Sequence, residues 1–208
     1  MIEILGKLFG SLPRVKVMRL FMQNPETPFD TKEICERSRI PMSHARREAM
    51  LLQNAGFLKK RQFTKTTETK RGVRKNRVSG YILNQDFVYL EALRSLVVEA
   101  GVIQSDYLIR KLRPAGKLKL VITAGVFMHN NESRLDLLVV GDNLRRHVIE
   151  SAIRLIEAET GKELAYAIFE TPEFQYRVEM YDKLICDVIE FPHQKLIDTI
   201  GVAEKIRM

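Results

Sequence analysis

Residues 57–83 contain the feature that most constrains the fold, two runs of alternating apolar and polar side chains separated by a long polar connection. The runs, 57–63 and 78–83, predict two β-strands, because successive side chains of a strand point to opposite faces of a sheet. The connection, KTTETKRGVRKNR, offers few side chains from which a core could be built. The segment therefore predicts a β-hairpin with a long polar tip.

This hairpin segment is also strongly basic. Residues 59–77 include nine Lys or Arg and one acidic residue, so the stretch carries a formal charge of +8. Residues 1–85 carry +11, residues 86–114 carry 0 and residues 115–208 carry −3. Such segregation of positive charge favours a polyanionic partner, above all nucleic acid, for the N-terminal part of the chain. A basic hairpin tip suits contact with phosphates or insertion into a minor groove.

The residues before the hairpin predict helices. Residues 12–23 place apolar side chains among basic ones at roughly helical spacing, and Asn24-Pro25 ends that first predicted helix. A second helix is expected to begin near Asp30, because Asp30 and Glu33 have the spacing of a capping box. It is expected to end before 39–41, where Arg-Ile-Pro turns the chain.

A third helix is predicted from Met42 to Ala55, with Gly56 as its left-handed stop. Small or apolar residues form a narrow inward stripe on it, namely Ala45, Ala49 and Leu52. Its opposite face presents Ser43, His44, Arg46, Arg47 and Met50. An exposed basic face is often only solvated. Followed directly by a basic hairpin, however, it favours a helix whose first turns enter the major groove, where Arg binds guanine through two hydrogen bonds.

The sequence RIPMSHARREAMLLQNAGFLKKR, followed by the hairpin, resembles winged helix-turn-helix transcriptional regulators of the ArsR/MarR kind over about residues 10–85. The resemblance implies a regulator that binds double-stranded DNA. The residues expected to bind DNA are Ser43, His44, Arg46 and Arg47 on the third helix and Lys65, Lys70, Arg71, Arg74, Lys75 and Arg77 on the hairpin. Cys35 stands alone where metal-sensing members of the family have a Cys pair, so a response to metal is not implied.

Residues 86–112 are apolar at helical spacing and predict one or two connecting helices. Two uses are open for them. They could pair two subunits, and the resulting homodimer would match a palindromic DNA site. They could equally pack within one chain against the C-terminal part.

After Pro114 and Gly116 the chain predicts an α/β domain, with strands in KLKLVITAG, RLDLLVVG and ELAYAIFE and a helix between the last two. In RLDLLVVGD and the preceding strand and glycine it resembles the minimal nucleotidyltransferase fold over about residues 115–200. That resemblance implies a Gly-Ser pair for phosphate and a D-x-D pair for metal. The chemistry requires three carboxylates around divalent cations.

This sequence departs from the nucleotidyltransferase pattern. Val126 follows Gly125 where the family has Ser, Arg134 stands at the first Asp position, and only Asp136 is retained. The third strand offers Ala165 and Ala167 where an acid is needed, and the spacing of Asp182 and Asp187 does not place them beside Asp136. We therefore expect no catalytic residue, no bound metal and no cofactor.

Other residues leave the partner of this domain open. The segments EFQYR and DVIEFPHQKLID are the polar and aromatic stretches expected to decorate it, and a small molecule or a protein could bind there. His193 is either a ligand-binding residue or a loop histidine bonded to neighbouring backbone. Cys35 and Cys186 lack the spacing of a zinc site or a disulfide framework and are expected to be buried thiols. The absence of a long apolar run predicts no membrane span and a cytoplasmic protein.

The sequence thus predicts a mixed fold, α+β and α/β, in three parts. Residues 1–85 are expected to form a winged helix-turn-helix, 86–114 connecting helices, and 115–208 an inactive nucleotidyltransferase-like domain. The function expected is sequence-specific binding of double-stranded DNA in transcriptional regulation, by a homodimer that is not an enzyme. The alternative is an active nucleotidyltransferase or adenylyltransferase that carries a winged helix for targeting.

Overall fold

The computed structural model describes residues 2–69, 72–98, 105–128, 130 and 133–201, with backbone alone for 67–69 and 72–74. The fold is mixed α+β. The chain divides into two compact units. The first consists of Met1–Val102 with Leu155–Lys162, and the second of Ile103–Arg154 with Glu163–Met208.

The first unit begins with helices that pack around one apolar core. These are α1 (Ile2–Leu8), α2 (Leu12–Gln23), α3 (Thr31–Ser38) and α4 (Met42–Asn54), and α5 (Leu90–Val97) follows the hairpin. The helices predicted at 12–23, near Asp30 and from Met42 are confirmed, whereas α1 was not predicted. Aromatic and aliphatic side chains of α2, α3 and α4 fill the core, among them Phe21, Ile34 and Ala49, none of which is exposed.

Local sequence signals set the ends of α3 and α4. The capping box is present, since Glu33 N donates to Asp30 Oδ1 at 2.8 Å and Asp30 N donates to Glu33 Oε2 at 2.9 Å. Arg39 ends α3 in the left-handed conformation, with φ of 49°. Gly56 follows α4 with φ of 82°, a conformation that glycine adopts without strain. These signals fix the short turn between the two helices and the start of the hairpin.

Two strands, β1 (Leu58–Thr69) and β2 (Gly72–Leu83), pair antiparallel from Leu58 opposite Leu83 to Thr69 opposite Gly72. We call Leu58–Leu83 the basic hairpin. The predicted hairpin is confirmed, but its strands are longer than predicted, because the polar connection continues both strands. Strand pairing uses backbone groups and needs no core, and the connection is rich in Thr, a β-branched residue that favours strands.

Phe29, which lies between α2 and α3, pairs with the base of the basic hairpin. Phe29 N donates to Tyr81 O and Tyr81 N donates to Phe29 O, each at 2.9 Å, which forms an isolated antiparallel bridge. A Cβ atom added to Gly80 would overlap the carbonyl oxygen of Phe29. This close approach of two backbones requires glycine at position 80.

The second unit contains a four-stranded sheet and surrounding helices. Its elements are α6 (Ser105–Leu112), β3 (Lys117–Thr123), β4 (Leu137–Asp142), α7 (Arg146–Thr160, counted with the first unit from Leu155 on), β5 (Tyr166–Glu170), α8 (Thr171–Glu179), α9 (Lys183–Glu190) and β6 (Gln194–Asp198). The strand order is β5-β4-β3-β6. Only the β4 and β5 pair is parallel within this sheet as described.

The predicted strands and helix of this part are confirmed as elements, with shifted ends. The helices α8 and α9 and the strand β6 were not predicted. EFQYR lies in α8, and DVIEFPHQKLID covers the end of α9 and all of β6. Within the described part of the chain, no helix is long and apolar enough to cross a membrane.

Candidate nucleic-acid interface

The helix α4 has one exposed face in its first turns. Ser43, Arg46 and Arg47 are exposed there, and Met50 is 51% exposed. Residues three and four apart share a helix side, so these four side chains form one stripe. Among the residues that the structure describes, Arg46 has no hydrogen bond or ion pair. We call the four residues the outward stripe.

His44 lies at the edge of the outward stripe and not on it. Its side chain is half-buried, and its Nδ1 atom is buried without a hydrogen-bond partner among the described residues. His44 is less exposed than expected, because position 44 is rotated toward the packed side of α4, and its contact with DNA stays a prediction. The other three predicted residues of this helix lie together.

A buried carboxylate that sequence reasoning missed lies on the inward side of α4. The side chain of Glu48 is fully buried. Its Oε1 accepts hydrogen bonds from Ser11 Oγ at 2.8 Å and Arg47 Nη2 at 2.9 Å, and its Oε2 accepts one from Arg14 Nε at 2.9 Å. Burial raises the pKa of Glu48, but the bonds from Ser11, Arg47 and Arg14 outweigh it and hold the pKa below its ordinary value.

The position of Glu48 could have revealed it. The inward stripe of Ala45, Ala49 and Leu52 also contains position 48, so the helical spacing alone puts a charged residue among buried ones. A buried charge requires a partner. Sequence alone does not show that Ser11 and Arg14, at the start of α2, supply it.

The basic hairpin places its predicted residues differently. Lys75 and Arg77 are exposed on β2. Lys70 and Arg71 lie outside the described residues, and for Arg74 only the backbone is described. Two of the predicted hairpin contacts are thus available to a partner in the described part.

Lys65, another of the predicted hairpin residues, is paired with carboxylates. Its Nζ lies 3.0 Å from Asp30 Oδ2 and 2.9 Å from Glu33 Oε1, so it is bonded to both residues of the capping box. Partial burial lowers the pKa of Lys65, but the bonds to Glu33 and Asp30 outweigh it and raise the pKa above its ordinary value. Lys65 is thus paired with two carboxylates, and its contact with DNA stays a prediction.

In the second unit, Asp136 is tied to backbone. Its side chain is buried, with Oδ1 accepting from Val126 N at 2.7 Å and Oδ2 accepting from Ala165 N at 2.8 Å. Gly125 has φ of 52°, and a Cβ atom there would overlap Asp136 Oδ1. Both carboxylate oxygens therefore fix the turn after β3 and the segment before β5.

The remaining acids of interest have other partners. Asp187 Oδ2 lies 2.8 Å from Arg134 Nε. Asp182 caps α9 through Leu184 N at 2.9 Å and pairs with Arg177 at 2.8 Å. In the described ranges, no group of three or more His, Cys, Asp or Glu could hold a metal ion.

The structure also describes the histidine and the two cysteines considered in the sequence analysis. His193 Nδ1 lies 2.9 Å from Phe191 O. Of the two alternatives for His193, this contact fits the loop histidine that bonds to neighbouring backbone. Cys35 and Cys186 are free thiols, and both are half-buried where full burial was expected. The Sγ atom of Cys35 donates to Ile40 O at 3.0 Å.

Comparison of the chain with models of protein families, with curated proteins and with solved structures found no match.

Proposed function

We propose that this chain is a transcriptional regulator that binds double-stranded DNA sequence-specifically through a winged helix-turn-helix. In this proposal α3 and α4 are the helix-turn-helix, α4 is the recognition helix and the basic hairpin is the wing. One observation carries it. The outward stripe of α4 is exposed and polar or basic in its first turns, while the opposite side of the same helix is buried.

The chemistry of the outward stripe fits base edges in a major groove. Arg46 has a guanidinium that no described residue binds, and Arg can bind guanine O6 and N7 together. Ser43 can donate to or accept from a base, and Met50 offers an apolar surface to a thymine methyl group. The N-terminal turns of the second helix in a helix-turn-helix are the part that enters the groove.

The basic hairpin supplies affinity in this proposal. Lys75 and Arg77 are exposed, and the same segment contains Lys70, Arg71 and Arg74. Contacts between such residues and phosphates release counterions, which makes binding strong and dependent on salt. The formal charge of +8 over residues 59–77 is the sequence observation behind this role.

For residues 115–208 we propose a degenerate nucleotidyltransferase-like domain used for dimerisation, sensing or partner binding. Both oxygens of Asp136 already accept backbone N–H groups, so binding a cation there would compete with two hydrogen bonds. At the position of the first family Asp, Arg134 pairs with Asp187. These contacts favour a structural use of the domain over the active nucleotidyltransferase.

The test of DNA binding begins with selection of bound fragments from a pool of random duplexes, followed by sequencing. We expect enrichment of one motif, tighter binding to that motif than to random duplex in a fluorescence anisotropy titration, and affinity that falls steeply with salt. Absence of enrichment together with equal binding to all duplexes would contradict sequence-specific regulation.

We also propose that the protein is a homodimer, since a twofold protein suits a palindromic DNA site. Light scattering should then give twice the 24.1 kDa chain mass for the protein on DNA. The monomer mass, measured both alone and on DNA, would argue decisively against the dimer.

A further inference from the structure

We propose that Arg47 of the outward stripe and Arg14 of α2, both held by the buried carboxylate of Glu48, form one phosphate-binding site, with Glu48 as its positioning residue. The inference rests on the proposed DNA binding and adds to it a site that joins α2 to α4. It also changes the expected role of Arg47, from reading a base to gripping the DNA backbone.

Both guanidinium groups are bonded to the same carboxylate. Arg47 Nη2 bonds one oxygen of Glu48 and Arg14 Nε bonds the other, each at 2.9 Å. Ser11 Oγ adds a third hydrogen bond to the same carboxylate, and Arg14 Nη1 donates to Phe9 O at 2.9 Å. Neither arginine can therefore turn freely, in contrast to Arg46.

Both arginines keep donors for a ligand. A guanidinium has five N–H donors in a planar fork. Among the described residues, Arg14 Nη2 and the Nε and Nη1 of Arg47 have no partner. The side chains of Arg14 and Arg47 are 31% and 58% exposed. In the proposed site, one phosphate accepts N–H groups from both residues, and charge-assisted pairs of this kind are stronger than neutral hydrogen bonds.

The balance of charge favours an anion. Two guanidinium groups face one carboxylate, so the cluster keeps a net positive charge at the solvent. Burying a carboxylate costs free energy, and apolar residues of similar size often stabilise a protein as well or better. Packing of α2 on α4 alone would therefore not require Glu48. Holding Arg14 and Arg47 in fixed directions would require it.

The first test uses Arg47→Met, because Arg47 is exposed enough for the variant to fold. Binding of the full chain to the selected duplex and to random duplex is measured over a salt series by fluorescence anisotropy. Removal of one phosphate-binding side chain should weaken binding to both duplexes by the same factor and lower the salt slope by about one. Arg14→Met should do the same, and Arg154→Met, which removes an exposed arginine of the second unit, is the control for net charge.

The second test uses Glu48→Gln, which adds one net positive charge. Without a positioning role, that charge should leave affinity unchanged or increase it. We expect binding to both duplexes to weaken by roughly fivefold to tenfold, the equivalent of about one hydrogen bond, because the guanidinium groups lose their direction. Circular dichroism of each variant shows whether it is folded, and Arg47→Met decides the question if Glu48→Gln is not.

The experiments distinguish failure of the proposed function from failure of the phosphate site. If the wild-type protein binds no duplex, the proposed function fails. If the wild type binds but Arg47→Met loses affinity only for the selected motif and keeps its salt slope, Arg47 reads a base and the phosphate site does not exist. Tighter binding by folded Glu48→Gln would also overturn the proposal.

Discussion

Lys65, in the middle of β1, is joined to Asp30, the residue that caps α3, across 3.0 Å between Nζ and Oδ2. Asp30 thus has two roles, since its other oxygen accepts the Glu33 N–H that begins the helix. The basic hairpin is thereby attached to the first turn of α3 by an ion pair in addition to its backbone bridge at Phe29.

Replacing Lys65 with Met should therefore affect stability more than DNA affinity. We expect a loss of about 0.5–1 kcal/mol in the free energy of unfolding, the usual range for a partly exposed pair, measured by urea denaturation. The salt slope of DNA binding should remain near that of the wild type. Arg77→Met is the matched variant, because Arg77 is exposed on the same hairpin, and it should lower the slope by about one. A slope lowered equally by both variants would show that Lys65 leaves its carboxylates for DNA.

Replacing Arg46 with Ala should flatten sequence preference. Arg46 lies exposed on the outward stripe without a partner among the described residues, so it is the residue most available for a bidentate bond to guanine. The selected duplex should lose about 1–3 kcal/mol of binding free energy, while random duplex loses much less. Anisotropy titrations on both duplexes measure this. Equal losses on the two would assign Arg46 to the DNA backbone.

Gly125→Ala should destabilise the second unit. Gly125 has a left-handed φ of 52°, and the added Cβ would displace Asp136 Oδ1 from its bond to Val126 N. We expect a cost of about 2 kcal/mol or more, from backbone strain and the broken charge-assisted hydrogen bond together. Gly10→Ala isolates the strain, because Gly10 has φ of 71° and open space around its Cα. Similar shifts of both variants in calorimetry would mean that Asp136 is not held there.

The nucleotidyltransferase alternative has a direct assay. Protein incubated with Mg²⁺ and labelled nucleoside triphosphates should transfer nothing to itself or to RNA, because Asp136 is bonded to backbone and Arg134 replaces a carboxylate. Metal-dependent labelling that Asp136→Ala abolishes would instead support the active nucleotidyltransferase. Gly10→Ala is the control substitution. Any labelling that depends on Asp136 would remain in this variant.

Lowering the pH should destabilise the first unit, because two of its carboxylates, those of Asp30 and Glu48, become protonated. Burial raises the pKa of Asp30, but bonds from Glu33 and Lys65 outweigh it and hold the pKa below its ordinary value, and the pKa of Glu48 is lowered as well. A carboxyl whose pKa is lower in the folded protein stabilises it fully above the unfolded pKa of about 4. That contribution is lost as pH falls through the lower folded pKa. The urea concentration at the unfolding midpoint, measured from pH 7 to pH 2, should therefore decrease once the pH is below about 4. The Asp30→Asn variant should show a smaller decrease.

Local patterns in the sequence predicted the elements that depend on near neighbours. The capping box at Asp30, the stop at Gly56 and the inward stripe of α4 each involve residues a few positions apart. Long-range contacts decided the rest. No spacing shows that Glu48 meets Arg14, 34 positions away, or that Lys65 meets Asp30, 35 positions away. The candidate interface was therefore predicted in its location but not in the pairing of its charges.

The close approach of Gly80 to Phe29 restricts how β2 can be aligned with the segment that contains Phe29. A hairpin with polar side chains on both faces can pair in several registers, and a slip of one residue exchanges its two faces. Here a slip would bring Ser79 or Tyr81 against the carbonyl of Phe29, where even one carbon atom does not fit. The absence of a side chain at position 80 thus selects the alignment of β2 in which Gly80 faces Phe29.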